Sequence, residues 1–467
     1  QSPIPNPQSP IPNPQKYYIK IHYKINIKKM IFTLNFSIKN LLISLTVLLA
    51  SVFYIFIFRH NRVIIDKINT FTEEQILSNN NLQSSSHHIP SYQKIINKAG
   101  YYFEEHKILT EDGYILTAWR IPCFLNESNL DFYKKRQPVI LQHGCIDSSY
   151  TWLLLDKAHS LPFLLVNNGF DVWLTNTRGN AVSFEHINPI QYDSSKIDSK
   201  YWNFSFHEMA IYDLPANVRY IKEKTGFEKV DYICHSQGGL IYFILYTMEQ
   251  KFIEDNFNHL VSLGTIITTF TSESNLLKFG HYSKLPEIVD SLHINNILCF
   301  NKIFYDAISN FCKFFNKPCY NIINFIVSNN FETKRINMTK LFSEFLYVPA
   351  GTSSKNLRHW MQIYNTKRLA RYDYGSWKNE QIYGNKTSPE YDLTKFKNYT
   401  IKSLLYTSNK DPFSNIDDLN YLVKYLNENY VTIKRMKNYN HMDYLWSEDA
   451  KDDIYNPIIK FLKYDER

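Results

Sequence analysis

Glycine is scarce in this sequence: 13 of 467 residues, or about 3% against about 7% in typical proteins. A glycine retained in such a chain is expected where the backbone needs it. The sequence also lacks a Gly-rich phosphate loop, a His-Glu-x-x-His pair and a Cys-x-x-Cys pair. Because these patterns, which are typical of phosphate-binding and metal sites, are absent, neither a metal nor a cofactor is expected.

An excess of charge is missing from most of the chain. The formal net charge is +8, and residues 16–67 alone carry nine Lys or Arg and one acid. Because the remainder is neutral overall, no nucleic acid is expected as a partner. Apolar residues make up 44% and charged residues 21%, which excludes wholesale disorder. A chain of this length can bury a sizeable core.

The N-terminal region differs from the rest. Residues 1–14 repeat one heptapeptide, and residues 1–30 are expected to form a low-complexity, basic tail. Residues 41–58 carry no charge, and their length is at the lower limit for a membrane-spanning helix. The basic excess before them predicts a signal anchor with a cytoplasmic N-terminus. The alternative is a cleaved signal peptide beginning at Met30. Residues 61–95 are expected to be a linker.

Either interpretation sends the rest of the chain into the secretory pathway. An anchor predicts a single-pass protein with a luminal or extracellular body, and a cleaved signal predicts a secreted or lysosomal one. Cys312 and Cys319 are candidates for a small disulfide loop in that oxidising compartment, although two separate thiols fit equally well. Sequons suitable for N-glycosylation occur at Asn126, Asn337, Asn385 and Asn398.

Residues 96–467 alternate between short apolar runs and helical stretches. Runs that suit buried parallel strands occur at 138–141, 170–174, 230–234 and 403–406. A helix is expected from Met209 to Lys224, with Gly226 as its C-cap. This alternation predicts an α/β fold with a mostly parallel central sheet and helices on both faces. Residues 270–395 break the pattern and are expected to be an insertion.

The segment Cys-His-Ser-Gln-Gly-Gly at 234–239 follows a predicted strand and precedes an apolar helix. This is the setting of a nucleophile elbow, in which Ser236 would project its hydroxyl above the sheet. Cys234 replaces the usual first glycine of the motif. A chance Ser-x-Gly turn is the alternative if the segment is considered alone.

Two further residues complete a candidate triad. A serine becomes a nucleophile only when a base takes its proton, and in this fold the order is Ser, acid, His. Asp411 and His441 each follow a predicted strand in that order. Alone, each would be interpreted as a turn Asp or a surface His. Asp417 and Asp418 are nearby alternatives to Asp411.

The segment Gln-His-Gly-Cys at 142–145 ends an earlier strand. The fold needs main-chain N–H donors here and directly after the serine. Cys145 and Gln237 are therefore candidate oxyanion-hole donors, and Gly144 would let the backbone approach closely. The side chain of His143 is expected to pack within the loop.

Several segments occur in one order along residues 96–465. They are Ala-Gly-Tyr at 99–101, Thr-Glu-Asp-Gly-Tyr-Ile-Leu at 110–116, Leu-Gln-His-Gly at 141–144, Asp-Val-Trp-Leu-Thr-Asn-Thr-Arg-Gly-Asn at 171–180, Phe-His-Glu-Met-Ala-Ile-Tyr-Asp-Leu-Pro-Ala at 206–216, His-Ser-Gln-Gly at 235–238, Ala-Gly-Thr-Ser at 350–353 and Asn-His-Met-Asp at 440–443. With them the chain resembles the acid lipase family of α/β-hydrolases, which includes gastric lipase and lysosomal acid lipase.

The resemblance implies an α/β-hydrolase fold in which Ser236 is the nucleophile, His441 the general base and acid, and Asp411 the residue that orients His441. It also implies that residues 270–395 form a cap and lid. Three positions depart from the family pattern: Cys234 at the elbow glycine, Cys145 at a usual leucine, and the approach to Asp411, which lacks the usual glycine pair.

The leading functional hypothesis is a serine hydrolase that cleaves carboxylic esters of lipids, acylglycerols or sterol esters. Its expected partners are the lipid substrate and a membrane, reached through the N-terminal helix and the lid. An esterase or acyltransferase for other acyl substrates is the first alternative. A non-catalytic lipid-binding homologue is the second, and the reactivity of Ser236 would separate it from the enzymes.

Overall fold

A mostly parallel β-sheet forms the centre of the structure, a computed structural model that describes residues 92–127, 135–188, 200–299, 312, 315–327 and 348–464. The strands, in chain order, are β1 (Glu104–Leu109), β2 (Tyr114–Ile121), β3 (Pro138–Gln142), β4 (Asp171–Thr175), β5 (Glu185–His186), β6 (Val230–His235), β7 (Phe257–Leu263), β8 (Asn296–Ile297), β9 (Thr352–Ser353), β10 (Lys402–Ser408) and β11 (Val431–Met436).

Within the main sheet the order is β1-β2-β4-β3-β6-β7-β10-β11, with β5 paired to β2. The pairs that include β2 are antiparallel, and those from β4 to β11 are parallel. The predicted α/β fold is therefore confirmed, and the four predicted strands correspond to β3, β4, β6 and β10. The sequence interpretation missed β1, β2 and β7. In β1, exposed and half-buried residues alternate, so it has no apolar run.

Helices connect these strands. They are α1 (Tyr92–Lys98), α2 (Leu161–Asn167), α3 (Phe206–Glu208), α4 (Leu214–Thr225), α5 (Gln237–Met248), α6 (Gln250–Asn256), α7 (Asn275–Tyr282), α8 (Leu285–Ser291), α9 (Asn316–Val327), α10 (Ser354–Thr366), α11 (Ser376–Tyr383), α12 (Ile416–Val423), α13 (Asp443–Trp446) and α14 (Asn456–Tyr464).

The core lies on both faces of the sheet. Along β3, Val139 and Leu141 belong to one apolar cluster and Ile140 belongs to a second. Successive side chains of a strand point to opposite faces, so the two clusters lie on opposite sides. Helices α1, α2 and α14 contribute to the first cluster. Helices α4 and α5 contribute to the second.

The helix expected from Met209 to Lys224 is not uniform. A π-helical turn, Met209–Asp213, precedes α4, and the N–H of Leu214 bonds to the carbonyl of Met209. Pro215 has no N–H to give to an ordinary helical bond, which explains the wider turn before it. The predicted C-cap forms: Gly226 has a left-handed φ of 74°.

The body of the chain starts earlier than expected. Helix α1 begins at Tyr92, inside the stretch interpreted as a linker to residue 95, and Ile96 is fully buried. The ring of Tyr92 lies 3.6 Å from that of Trp119 on β2, so aromatic packing extends the core to this point. The expected tail and the apolar segment 41–58 lie outside the described residues. Among the residues that are described, no helix is both long and apolar enough to cross a membrane.

The expected insertion at 270–395 lies between β7 and β10, which are neighbours in the sheet. Its described parts contain α7 to α11 and the small antiparallel pair of β8 and β9. Cys312 and Cys319 form a disulfide there. The sequon residues Asn126, Asn385 and Asn398 are exposed, while Asn337 lies outside the described residues.

A buried arginine joins three parts of the fold. Arg178, in the loop after β4, donates to Asp213 at 2.7 Å and to Asp112 at 2.8 Å. Its guanidinium lies 4.0 Å from the centre of the Tyr114 ring, and the side chain is 1% exposed. Removal of the guanidinium would leave the carboxylate of Asp213 buried without its counter-charge.

We therefore expect Arg178→Ala to lower the free energy of unfolding by about 3–5 kcal/mol. Urea denaturation followed by circular dichroism measures the change. The control is Lys251→Ala, which removes a fully exposed partner of Asp255 and should leave the stability nearly unchanged. Equal effects of the two substitutions would contradict this account.

Candidate active site

The candidate nucleophile lies in a strained turn between β6 and α5. Ser236 has φ 54° and ψ −119°, a conformation that costs a non-glycine residue about 1–3 kcal/mol. The turn is too crowded for larger neighbours. A Cβ added to Gly239 would lie 2.6 Å from Ser262 Oγ, and one added to Gly238 would lie 3.0 Å from Cys234 Cβ. Cys234 is fully buried and still fits, so the elbow forms without its usual first glycine.

Three predicted residues meet in one hydrogen-bonded series. His441 Nε2 lies 2.8 Å from Ser236 Oγ, and His441 Nδ1 lies 2.9 Å from Asp411 Oδ2. The three residues follow β6, β10 and β11, whose parallel carboxyl ends meet at one edge of the sheet. They are 5%, 4% and 6% exposed in the order Ser, Asp, His. This geometry allows the imidazole to accept the serine proton while the carboxylate orients it.

The loop around Asp411 holds its geometry without a glycine pair. Asp411 Oδ1 accepts hydrogen bonds from the N–H groups of Phe413 and Ser414, both at 2.9 Å. The two alternative acids lie elsewhere. Asp418 accepts the N–H of Thr271 at 3.0 Å, and Asp417 is exposed on α12. Of the three candidates, Asp411 is thus the one that contacts His441.

The turn after β3 lies directly against the serine. A Cβ added to Gly144 would be 3.1 Å from Ser236 Cβ and 3.5 Å from its Oγ, so glycine makes this close approach possible without a shift of Ser236. The next residue is Cys145. On the other side of Ser236, Gln237 begins α5, where the first N–H groups of a helix have no intrahelical acceptor. Of the two predicted main-chain donors, Gln237 directly follows Ser236, and Cys145 directly follows Gly144, which lies against Ser236.

Two buried histidines, His143 and His235, support this arrangement. The sequence had not indicated a role for His235. His235 Nε2 lies 2.8 Å from the carbonyl oxygen of His441 and holds that main chain in place. Burial and the neighbouring His441 hold the pKa of His235 well below its usual range. Burial lowers the pKa of His143 to about 4, and its Nε2 accepts the N–H of Thr177 at 3.1 Å. Neither ring therefore adds a positive charge beside His441 at neutral pH.

Asp147 is a buried carboxyl two residues after Cys145. Its Oδ1 accepts the N–H of Ser148 at 2.8 Å, and the residue is 4% exposed. Burial raises the pKa of Asp147 to about 7. The folded protein therefore favours the protonated acid over a wide pH range.

Within the described ranges, no three His, Cys, Asp or Glu side chains cluster as metal ligands would. The chemistry that the site can perform is that of serine, imidazole and carboxylate, with main-chain N–H groups beside the serine.

Comparisons with known proteins agree with the fold. Residues 92–156 match a family model described as a partial α/β-hydrolase lipase region, and residues 137–448 match the α/β-hydrolase fold. Lipase member J of Homo sapiens is 34% identical over 79% of this chain and 98% of its own length. Gastric triacylglycerol lipase of Mus musculus is 32% identical over 78% of this chain and 90% of its own. A crystal structure from Sulfolobus solfataricus shares the fold, with a TM-score of 0.50, 15% identity and coverage of 79% of this chain and 95% of that one.

An isosteric substitution of Asp411 tests its contact with His441. In Asp411→Asn the amide would donate to His441 Nδ1 and favour the wrong imidazole tautomer, so kcat for ester hydrolysis should fall about 10⁴-fold. Initial-rate kinetics measure the change. Asp417→Asn alters an exposed acid six residues away and should keep wild-type kcat. A loss of activity in the Asp417 variant instead would move the acid role to that residue.

The environment of Asp147 generates a test of pH dependence. Because the pKa of Asp147 is raised in the folded state, ionisation of this carboxyl costs more free energy in the folded than in the unfolded protein. The contribution of the protonated Asp147 to the free energy of unfolding is therefore present below pH 4 and is lost as the pH rises towards 7. We expect Asp147→Asn to remove this loss. Relative to wild type, the variant should gain about 3 kcal/mol in free energy of unfolding between pH 4 and pH 7.5. Urea denaturation at both pH values measures the gain, and a difference that stays constant with pH would refute it.

Proposed function

Because the chain belongs to the acid lipase family of α/β-hydrolases, we propose that it is a serine hydrolase that cleaves the carboxylic esters of lipids. The observation that carries this proposal is the hydrogen-bonded series of Ser236, His441 and Asp411. The named lipases that the chain resembles over nearly their whole length support a lipid ester as the substrate. Acylglycerols and sterol esters are the proposed classes.

In the proposed first half-reaction, Ser236 Oγ attacks the ester carbonyl carbon while His441 Nε2 takes the hydroxyl proton. The carbonyl oxygen becomes negative, and the N–H groups of Cys145 and Gln237 donate to it. As the tetrahedral intermediate collapses, the bond to the alcohol oxygen breaks and His441 gives that oxygen its proton. The acyl group remains on Ser236.

Water completes the reaction. His441 takes a proton from the water molecule, whose oxygen attacks the acyl carbon. Collapse of the second intermediate releases the fatty acid and returns the proton to Ser236. Throughout, the carboxylate of Asp411 stabilises the imidazolium, which is the role that its two contacts with His441 Nδ1 support.

The insertion at 270–395 is the proposed cap and lid, and its surface favours contact with lipid. On α8 and just beyond it, Leu285, Ile288 and Leu292 are 36%, 47% and 57% exposed. Their spacing of three and four residues places them along one helical face. Exposed apolar patches of this kind mark sites of protein or membrane interaction. We propose that this face meets the lipid surface from which the substrate is taken.

The cellular location of the protein is proposed from its sequence. Residues 41–58 would be a signal anchor of a type II membrane protein, or part of a cleaved signal that leads to secretion or to lysosomes. The disulfide and the exposed sequon residues Asn126, Asn385 and Asn398 fit an oxidising lumen. We propose that these three asparagines and Asn337 carry glycans.

Hydrolysis by wild type and by Ser236→Ala tests the proposed activity. Loss of the nucleophile should lower kcat about 10⁶-fold for long-chain triacylglycerol and sterol ester emulsions. The matched control is Ser376→Ala, at the exposed start of α11, which should keep wild-type kcat. Titration of released fatty acid from pH 4 to 8 measures the rate. Hydrolysis of short soluble esters alone would indicate an esterase, and folded wild type without turnover dependent on Ser236 would contradict the proposal.

A further inference from the structure

One helix of the insertion contacts the residue that follows the candidate nucleophile. On α10, Trp360 Nε1 donates to Gln237 Oε1 at 2.7 Å, and Asn356 Nδ2 donates to the same oxygen at 3.0 Å. The two donors are four residues apart, which places them on one face of the helix. Gln237 is 2% exposed, so the contact is buried.

Asn356 also reaches the other side of the serine. Its Nδ2 lies 3.6 Å from Cys145 Sγ, and its Oδ1 accepts the N–H of Phe206 at 2.8 Å. The side chain is fully buried. One carboxamide of the insertion therefore touches both residues that are proposed as main-chain donors to the oxyanion.

The helix that carries these donors is itself held firmly. Ser353 Oγ accepts the N–H of Asn356 at 3.0 Å and caps the helix. One turn further on, His359 Nδ1 lies 3.0 Å from Ser205 Oγ, and its ring stacks on Phe206 at 4.0 Å. These contacts fix α10 against the start of α3, so its two donors have defined positions.

The carboxamide of Gln237 is engaged on both sides. Its Nε2 donates to Met209 Sδ at 3.4 Å, in the π-helical turn, while Oε1 accepts from α10. The side chain thus joins the helix of the insertion to the sheet domain. The main-chain N–H of the same residue, at the first position of α5, is the candidate donor to the oxyanion.

We infer that Asn356 and Trp360 are positioning residues for the oxyanion hole. They hold Gln237, and Asn356 also holds Cys145, so that both main-chain N–H groups aim at the carbonyl oxygen as it becomes negative. The inference rests on the proposed ester hydrolysis. Hydrogen bonds weaken steeply with angle, and donors to an oxyanion act mainly on the transition state. A small displacement should therefore lower kcat and leave KM almost unchanged.

Trp360→Phe is the sharpest variant, because it removes the N–H donor and keeps an aromatic ring beside Phe206. We expect kcat to fall about tenfold with KM within about twofold of wild type. The matched control is Gln362→Ala on the same helix. It removes two hydrogen bonds of similar length to Asp373, at 2.7 and 2.9 Å, which lie away from Gln237. This control should keep wild-type kcat.

A transition-state analogue separates positioning from a general structural role. When a long-chain alkylboronic acid binds, a bond forms between Ser236 Oγ and boron, and the hydroxyl proton passes to His441. The resulting tetrahedral anion presents an oxygen to the oxyanion hole. In Trp360→Phe and Asn356→Ala its inhibition constant should rise about tenfold, whereas that of a non-hydrolysable ether analogue should stay the same. The ratio of the two constants does not depend on how much of a preparation is folded.

A double variant tests the route through Gln237. Gln237→Met removes the carboxamide and keeps the main-chain N–H. If Trp360 acts through that carboxamide, the double variant with Trp360→Phe should lose no more activity than the more damaging single change. The inference would be overturned if the losses of the two single variants multiply in the double variant. It would also be overturned if the ratio of boronate to ether affinity is the same in the variants as in wild type. Absence of wild-type turnover dependent on Ser236 would instead overturn the proposed function.

Discussion

The strained backbone of Ser236 is the constraint on which the rest of the site depends. A serine with φ 54° persists only if its surroundings hold it there. Its N–H donates to the carbonyl of Leu263 on β7 at 3.0 Å, and its carbonyl accepts the N–H of Gly239 at 2.9 Å. The conformation lifts the hydroxyl clear of both β6 and α5, towards the edge where the other parallel strands end. The strain lowers the stability of the folded protein, and it fixes one orientation of the candidate nucleophile.

Electrostatics at this edge are arranged around a single imidazole. Burial keeps His143 and His235 neutral, so that they act as hydrogen-bonding groups and do not compete with His441 for a proton. Asp411 supplies the only close carboxylate contact to His441 in the described part of the chain. The positive charge that His441 would acquire in the proposed reaction therefore has one carboxylate partner, at a defined distance.

Much of this could be predicted from the sequence, because local signals specify it. Continuous apolar runs marked β3, β4, β6 and β10, and motif order after strands identified Ser236, Asp411 and His441. Other features depend on tertiary contacts that leave no local signal. The π-helical turn arises from Pro215, but its hydrogen bond to Gln237 comes from packing between helices. Likewise, the neutral state of His235 follows from burial, which a lone histidine in the sequence does not reveal.

The position of the insertion in the chain explains why it contacts the candidate oxyanion hole. It leaves the sheet after β7 and returns before β10, and these strands are hydrogen-bonded neighbours. Gly264, directly after β7, is so close to the triad that an added Cβ would lie 3.2 Å from Asp411 Oδ2 and 3.3 Å from His441 Nδ1. The insertion thus begins close to the triad, and its helix α10 contacts Gln237. The helix that would cover a lipid can then also fix the groups that polarise its ester.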